Sequence, residues 1–433
     1  MHFNSEQEAI ISSSAKYKQV VAAAGSGKTS TMVGMLESVI RKKEEDPDKI
    51  LVITFSRKAA REIRDRLERA IGDTGIIIKT FHAYCLYIIK KYHPHYGNNA
   101  ANIIDPEEKN EFFRNYFKRE RFKIGGIPYD LLLSGTGNLL KQLFPEIQKE
   151  IEEDYKKYKT ENRKLDFDDL VAIYLDGLRN NEEWAKIARE EVEFVVVDEF
   201  QDTDMTQLEW LQKLNPNRLT VVGDDYQSIY GFRGASTVPF LKFKDFFSPS
   251  EIFFLRTNYR SLPAIIRASG IPISKNKNNI KKKVEPFRKG SANVCRIELE
   301  TENSLLILSE QMATNVYLNA HAMFLCRSNF RIEKMIRAGI PSDKIMTIHA
   351  AKGLEFNTVF LDLSSGWNLK ADEKEETMEE ERRILYVGLS RAKDNLFILG
   401  VRNKNKNRIE DLFYSYFKFR IKRINAGKLR SMF

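Results

Sequence analysis

Short, almost entirely apolar runs alternate along the chain with longer segments whose apolar residues recur at helical spacing. A short apolar run between turn signals is typical of a strand that is buried on both faces, as the strands of parallel sheets are. The pattern therefore predicts an α/β fold with parallel sheets. The predicted strands are residues 19–22, 50–54, 76–79, 194–197, 219–222, 252–255, 322–326, 344–347, 359–363 and 395–400.

Residues 90–190 have a different pattern, rich in Lys, Glu and aromatic residues and without clear strands. This pattern predicts a mainly helical subdomain inserted between strands of the first sheet. Further along, the acidic run 372–381 predicts the start of a solvated helix. The basic C-terminal tail fits either a helix or a disordered segment, and the sequence leaves both open.

The composition is that of an ordinary soluble protein, with 42% hydrophobic and 30% charged residues among 433. It excludes collagen-like, wholly disordered and membrane-embedded proteins. No apolar run approaches the roughly 20 residues that span a bilayer, and the start lacks the pattern of a signal peptide. The three cysteines lie far apart, which suits a reducing compartment. We therefore expect a cytoplasmic protein.

The net charge of +10 is concentrated in two segments. Residues 267–290 hold eight Lys or Arg against one Glu, and residues 402–433 hold ten against two acids. Two basic segments on a slightly acidic remainder indicate a localised contact with a polyanion such as nucleic acid. Solvated surface lysines would give the same pattern, so the charge alone does not decide between the two.

A candidate phosphate-binding loop follows the first predicted strand. Its residues Gly25-Ser26-Gly27-Lys28-Thr29 offer backbone N–H groups, a lysine for the outer phosphates and a hydroxyl for Mg²⁺, although the full pattern would place Gly at Ala22. Far downstream a strand ends in Asp198 and Glu199, which could hold Mg²⁺ and accept a proton from attacking water. Such acidic pairs also occur as helix caps. Together the loop and the carboxylates predict an NTPase.

Eleven short motifs lie in the order found in the UvrD/Rep/PcrA group of superfamily 1 DNA helicases, which the chain resembles over nearly its whole length. They are FNSEQEAI (3–10), AAAGSGKTS (22–30), ITFSRKAAREI (53–63), KTFH (79–82), LDFDDL (165–170), VVVDEFQDT (195–203), VVGDDYQSIYGFRGA (221–235), NYRS (258–261), CRSN (326–329), MTIHAAKGLEF (346–356) and EERRILYVGLSRAKD (380–394).

The resemblance implies two RecA-like P-loop lobes with parallel sheets and with ATP in the cleft between them. The first lobe would consist of residues 1–89 and 191–262, interrupted by a helical 1B insertion over residues 90–190. Residues 263–433 would form the second lobe with its basic tail. The large 2B insertion of the family is essentially absent, because the segment 335–341 runs almost directly into the predicted strand 344–347.

The resemblance also implies a nucleotide site that uses ATP and Mg²⁺. Gln7 would read adenine, Tyr259 would stack on it, and Glu355 would approach the ribose and phosphates. Thr29 and Asp198 would hold Mg²⁺, with Glu199 as general base, Gln227 as γ-phosphate sensor, and Arg260 and Arg391 as paired arginine fingers. Ser30 stands where the family has an arginine that flanks the adenine base, so binding of the base is expected to be weaker or less selective for ATP. The loop residues expected to contact the nucleotide are Ala24, Gly25, Ser26, Gly27, Lys28, Thr29 and Ser30.

Single-stranded DNA would be held by stacking and by neutralisation of its backbone, without reading of sequence. Phe232 stands where the family usually has a tryptophan, so stacking should persist with less ring area. The candidate contacts at the family's matching positions are Thr54, Phe55, Thr80, Phe81, His82, Tyr230, Phe232, Arg233, Arg327, Asn329, His349 and Lys352.

The resemblance implies a monomeric, ATP-driven 3′→5′ single-stranded DNA translocase and helicase. Its substrates would be single strands and 3′-tailed duplexes, DNA repair is an expected setting, and a nuclease or repair protein is a candidate partner. An alternative is an ATP-gated nucleic-acid-sensing subunit of a nuclease complex, in defence or recombination, with little unwinding of its own. The intact Glu199, Arg260 and Arg391 favour turnover, which a pure sensor would not need.

Overall fold

A computed structural model describes residues 2–96, 102–119, 145–299, 321–367, 373–401, 409–418 and 421–423. The chain divides into two compact units. Unit 1 consists of Met1–Val20, Thr29–Gly223 and Tyr230–Phe253, and unit 2 consists of Val21–Lys28, Asp224–Ile229 and Phe254–Phe433. The fold is therefore of the α/β class, as the sequence predicts, with one six-stranded sheet built mainly from each half of the chain.

The first sheet has the strand order β3-β2-β6-β7-β1-β8. Every residue of β1, β2 and β6 is buried, because helices cover both faces of a parallel sheet. Strands β2, β3, β6 and β7 pair in parallel, which brings their carboxyl ends to one edge. The strands are β1 (Tyr17–Ala22), β2 (Ile50–Thr54), β3 (Ile77–Thr80), β6 (Phe194–Val197), β7 (Arg218–Gly223) and β8 (Ser250–Leu255).

The helices of the first half include several whose first turns are capped by side chains. Asn4, Ser56, Thr80, Asp166 and Asp204 each accept a backbone N–H at a helix start. The helices are α1 (Ser5–Ser12), α2 (Lys28–Arg41), α3 (Arg57–Ile71), α4 (Phe81–Tyr92), α5 (Pro106–Arg119), α6 (Pro145–Glu161), α7 (Phe167–Arg179), α8 (Glu183–Glu190), α9 (Met205–Leu214), α10 (Val238–Leu241) and α11 (Phe243–Phe246).

The second sheet lies in unit 2, is parallel throughout and has the order β13-β12-β14-β15-β11-β16. Its core includes a stack of three phenylalanine rings from adjacent strands, Phe324, Phe360 and Phe397. The elements of this half are β9 (Thr257–Asn258), α12 (Pro263–Ile273), β10 (Glu285–Pro286), β11 (Asn293–Leu299), β12 (Ala322–Cys326), α13 (Asn329–Arg337), β13 (Ile345–Thr347), β14 (Phe356–Asp362), α14 (Glu375–Leu389), β15 (Ala392–Val401), α15 (Ile409–Tyr416) and β16 (Ile421–Arg423).

Each predicted strand overlaps an observed one, but some strands were not predicted. Residues 90–190 are mainly helical where they are described, yet they also contain two short paired strands, β4 (Asn102–Ile103) and β5 (Lys164–Leu165). In unit 2 the pattern missed β11 because the charged Arg296 and Glu298 interrupt its apolar residues. Arg296 is nevertheless buried, with its guanidinium 4.0 Å from the ring centre of Tyr414.

The acidic run does begin a helix, α14, but the prediction that its acids face solvent is wrong for Glu379 and Glu381. Both are buried. Glu379 accepts hydrogen bonds from the backbone N–H groups of Lys277 and Asn278, at 2.6 and 3.1 Å, and Glu381 pairs with Arg327 at 2.7 Å. A carboxylate with such partners is stable inside a protein, whereas a run of acids in a sequence does not show its partners.

Two features near the end of the chain bear on its organisation. Helix α13 is followed by residues 338–344 and then by β13, and the near absence of a 2B insertion stays a prediction. The basic tail contributes α15 and β16, while residues 402–408, 419–420 and 424–433 lie outside the described residues. Among the described helices, none has the length and apolarity needed to cross a membrane.

Candidate nucleotide and nucleic-acid sites

The candidate phosphate loop connects β1 to the first turn of α2, which begins at Lys28. Gly25 and Gly27 have positive φ angles of 68° and 82°, which turn the backbone in a way that other residues rarely adopt. A Cβ at Gly25 would also lie 2.6 Å from the Cβ of Arg260. The Ser26 hydroxyl is buried, and among the described residues it has no hydrogen-bond partner. A helix start with such a loop fits a bound phosphate group.

Asn258 ties this loop to the segment that carries Arg260. Its side-chain N–H donates to the carbonyl of Ala24 at 2.7 Å, and its Oδ1 accepts from the backbone N–H groups of Arg260 and Ser261 at 2.9 and 2.8 Å. Tyr259 adds a backbone hydrogen bond to the Gly25 carbonyl at 2.9 Å. The sequence analysis gave no role to Asn258, although it is the first residue of the NYRS motif.

The predicted sensor Gln227 contacts one of the predicted arginine fingers in unit 2. Its Oε1 accepts from an Arg391 N–H at 2.9 Å, and its side-chain Nε2 donates to Asp224 Oδ2 at 2.6 Å. Arg391 is 1% exposed and is also held by the carbonyls of Val387 and Leu354. Residues 25–28 of the phosphate loop, the sensor and both arginines belong to unit 2, whereas Thr29 belongs to unit 1.

Arg260 is paired with another predicted nucleotide contact. Its Nε donates to Glu355 at 2.7 Å, and Lys393 contacts the other carboxylate oxygen at 2.5 Å. Burial tends to raise the pKa of Glu355, but Lys393 and Arg260 outweigh it and hold the pKa below its ordinary value. Glu355 is therefore ionised at neutral pH and orients the Arg260 guanidinium.

The two predicted catalytic carboxylates follow β6 in unit 1. Asp198 is buried at the end of the strand, and its backbone N–H donates to the Ile53 carbonyl at 2.9 Å. Glu199 has a left-handed backbone, with φ at 52°, and its carboxylate accepts from the Gln201 side chain at 2.6 Å. Such a backbone costs energy for a non-glycine residue and is concentrated at functional sites. A carboxylate at a strand end fits Mg²⁺, which takes one or two protein carboxylates together with phosphate oxygens.

Three residues are expected near the adenine base, and each lies in a different structural setting. The Gln7 side chain is buried, and its Oε1 accepts from the backbone N–H of Asn4 at 3.0 Å, which closes a capping box at the start of α1. The Tyr259 ring packs against Phe287, with ring centres 4.8 Å apart. The Ser30 hydroxyl accepts from the Arg66 guanidinium at 3.2 Å, so a guanidinium from α3 lies beside the position where the family has an arginine.

In unit 1, four of the predicted DNA contacts form an aromatic cluster made of Phe55, Tyr230, Phe232 and Arg233. The Phe55 and Tyr230 rings stack with centres 4.7 Å apart and planes 18° apart. Arg233 lies over both Tyr230 and Phe232. Phe55 is 44% exposed and Phe232 is 37% exposed, so part of each side chain reaches solvent.

The remaining predicted contacts of unit 1 have clear structural roles. Phe81 is buried with its ring edge-on to Trp210, 4.8 Å away, so its ring belongs to the core rather than to the aromatic cluster. Thr80 caps α4, and the buried Thr54 hydroxyl donates to the Ser56 carbonyl at 2.9 Å. The His82 ring lies 5.7 Å from that of Phe167, and burial lowers its pKa.

The predicted DNA contacts of unit 2 include one that reaches the sensor. Lys352 Nζ donates to the backbone carbonyl of Gln227 at 2.8 Å. Arg327 forms a two-pronged pair with Glu381, at 3.0 and 2.7 Å, which orients it. Asn329 is exposed on the first turn of α13, and His349 is half-buried.

Comparison with known proteins shows which family of domains the chain matches. Residues 3–248 match the family model of the UvrD/REP helicase N-terminal domain, and residues 328–403 match that of the UvrD-like helicase C-terminal domain. The ATP-dependent DNA helicase PcrA of Staphylococcus aureus (strain Mu50) is 30% identical over 300 residues, which cover 65% of this chain and 41% of that protein.

A protein of the same name from Staphylococcus epidermidis (strain RP62A) is 28% identical over 367 residues, covering 78% of this chain and 50% of that protein. The chain thus spans half or less of the length of these relatives. The first family match alone covers more than half of the chain. The protein therefore belongs to the UvrD/REP helicase family.

Proposed function

We propose that this protein is an ATP-dependent 3′→5′ single-stranded DNA translocase and DNA helicase. The observation that carries the proposal is the contact of Gln227 with Arg391, in the same unit as the phosphate loop. A glutamine that holds an arginine, in the unit that contains residues 25–28 of the loop, is suited to detect the outer phosphate. The names of the PcrA relatives, ATP-dependent DNA helicases, support the same activity.

The proposed nucleotide chemistry follows from the residue types. The backbone N–H groups of the loop and Lys28 would neutralise the phosphates. Thr29 and Asp198 would hold Mg²⁺, which would supply positive charge to stabilise the transferred phosphoryl group. Glu199 accepts the proton of the attacking water. Arg260 and Arg391 stabilise negative charge on the phosphoryl oxygens. These assignments are those of the sequence analysis, and each is testable by substitution.

The proposed grip on DNA relies on the aromatic cluster. The Phe55 and Tyr230 rings, both predicted to contact DNA, stack on each other in unit 1. We therefore propose that they form one platform for a base, with Arg233 neutralising the backbone. Lys352 contacts the sensor carbonyl and would report strand binding to Gln227. The 1B insertion, residues 90–190, is proposed to separate the strands.

The test is a comparison of ATP hydrolysis with 3′-tailed, 5′-tailed and blunt DNA and with RNA, combined with unwinding of the tailed duplexes. Stimulation by single strands with unwinding of the 3′-tailed duplex alone is the expected result. Lys28→Ala should abolish turnover, and Lys58→Ala, an exposed lysine outside the assigned sites, should not. Stimulation without unwinding at any concentration would reduce the protein to a translocase, and hydrolysis that single strands do not change would favour the nucleic-acid-sensing subunit.

A further inference from the structure

The basic segment 267–290 contains a lysine that does not face solvent. Lys282 has a fully buried side chain, with 0% exposure. Its ammonium lies 2.6 Å from Asp224 Oδ1, 2.7 Å from Asp225 Oδ1 and 3.9 Å from the ring centre of Tyr226. Both carboxylates are buried as well. The charge of Lys282 therefore pairs with internal carboxylates. The sequence-based prediction that this segment carries surface charge for a polyanion is wrong at this position.

Asp224 is shared between Lys282 and the sensor. Its Oδ1 accepts from the Lys282 ammonium, and its Oδ2 accepts from the Gln227 side-chain N–H at 2.6 Å. With its N–H side held by Asp224, the Gln227 amide presents its oxygen to Arg391 at 2.9 Å. The contacts thus form a continuous buried series from Lys282 through Asp224 and Gln227 to Arg391.

The charges explain why the series needs a cation at position 282. Asp224 and Asp225 are neighbouring buried carboxylates, and two such groups do not both stay ionised without compensation. Burial by itself lowers the pKa of Lys282, but the two carboxylates outweigh it and raise the pKa above the ordinary value, so the lysine is charged. Without the Lys282 ammonium, Asp224 Oδ1 would lose this donor, and the carboxylate would no longer be held in the orientation in which its Oδ2 accepts from Gln227.

We propose that Lys282 is a positioning residue for the γ-phosphate sensor: its ammonium holds Asp224 in the orientation in which the Gln227 amide presents its oxygen to Arg391. This inference rests on the proposed function, because it assigns Lys282 to the same nucleotide site. It differs from a general stabilising role, since its effect is transmitted through one carboxylate and one amide. Removal of the charge should therefore impair turnover more than nucleotide binding.

The experiment compares Lys282→Met with Lys282→Arg, which keeps the charge, in the wild-type background and in a Gln227→Ala background. We expect Lys282→Met to lower kcat by about tenfold with little change in KM, less than the roughly 10²–10³-fold cost of removing a stabilising donor outright. Lys282→Arg should restore part of that loss. In the Gln227→Ala background the same substitution should change kcat by less than about twofold, because coupled residues are not additive.

A second readout does not depend on turnover. Thermal unfolding with ADP and with a non-hydrolysable ATP analogue should show a larger stabilisation by the analogue in the wild type, and Lys282→Met should lose that difference while remaining folded. Equal losses of kcat in both backgrounds, or an unchanged difference between the two nucleotides, would overturn the inference. A wild type that does not hydrolyse ATP but still distinguishes the two nucleotides would refute the proposed function alone. If Lys282→Met does not fold, Lys282→Arg and Asp224→Asn are measured in its place.

Discussion

Phe55 should supply a measurable part of the affinity for single-stranded DNA. One face of its ring lies against Tyr230, and the side chain is 44% exposed. A base stacked on an aromatic ring contributes about 1–3 kcal/mol. The stack on Tyr230 exists without DNA, so it does not enter the difference between the free and bound states. Phe55→Ala should therefore weaken binding by roughly 5- to 150-fold.

The assay is fluorescence anisotropy of a labelled oligothymidine in the absence of nucleotide, at several salt concentrations. Because stacking releases no counterions, the slope of log affinity against log salt should stay the same in Phe55→Ala. Met205→Ala is the matched control, since Met205 lies in the same unit with 50% exposure, outside the assigned sites, and should leave the affinity unchanged. An unchanged affinity in Phe55→Ala, or a loss that appears equally in the control, would refute the proposed platform.

Three further outcomes are expected. Glu199→Gln should still bind a fluorescent ATP analogue but lower kcat by about 10²–10⁴-fold, and an active variant would remove Glu199 as the base. Burial, with a smaller contribution from Arg218, lowers the pKa of Lys18 to about 8. Between about pH 8 and the ordinary lysine value the unfolded chain therefore binds more protons than the folded chain, and the free energy of unfolding rises with pH through that window. Lys18→Met should therefore be more stable than the wild type at pH 7 by up to about 3 kcal/mol and lose this advantage towards pH 10, as measured by urea unfolding; a constant difference would contradict the shift. Arg331 and Asp362 form a buried ion pair at 2.6 Å. Arg331→Met should therefore lower the free energy of unfolding by about 3–5 kcal/mol, and the double variant Arg331→Met with Asp362→Leu should recover much of that loss. An unchanged free energy of unfolding in Arg331→Met would contradict this.

Much of the fold could be predicted because the strands of a parallel sheet are continuous apolar runs. Strands β2, β6 and β12 have the predicted bounds, and all their residues are buried. Strand β11 could not be found in this way, since burial of Arg296 depends on Tyr414, which is far away in the sequence. The pattern of apolar residues does not show whether a charged side chain is stabilised by a residue that is distant in the sequence.

The site could be predicted only as far as its motifs reach. The sequence identified Gln227 and Arg391, and the structure places them in contact. It did not identify Lys282, which looks like one of several lysines in a basic segment, because its carboxylates lie more than fifty residues earlier. It also grouped Phe81 with Phe55, whereas one packs in the core and the other is partly exposed. Residue type alone does not separate a packing ring from a stacking ring.

The Asn258 side chain limits which residues can occupy its position. It donates to Ala24 on one side and accepts from the N–H groups of Arg260 and Ser261 on the other. Aspartate of the same length has no donor when ionised, leucine has neither donor nor acceptor, and glutamine is one methylene longer. In a saturation library at codon 258 that is selected for turnover, asparagine should consequently be the residue that survives, even though it performs no chemistry itself.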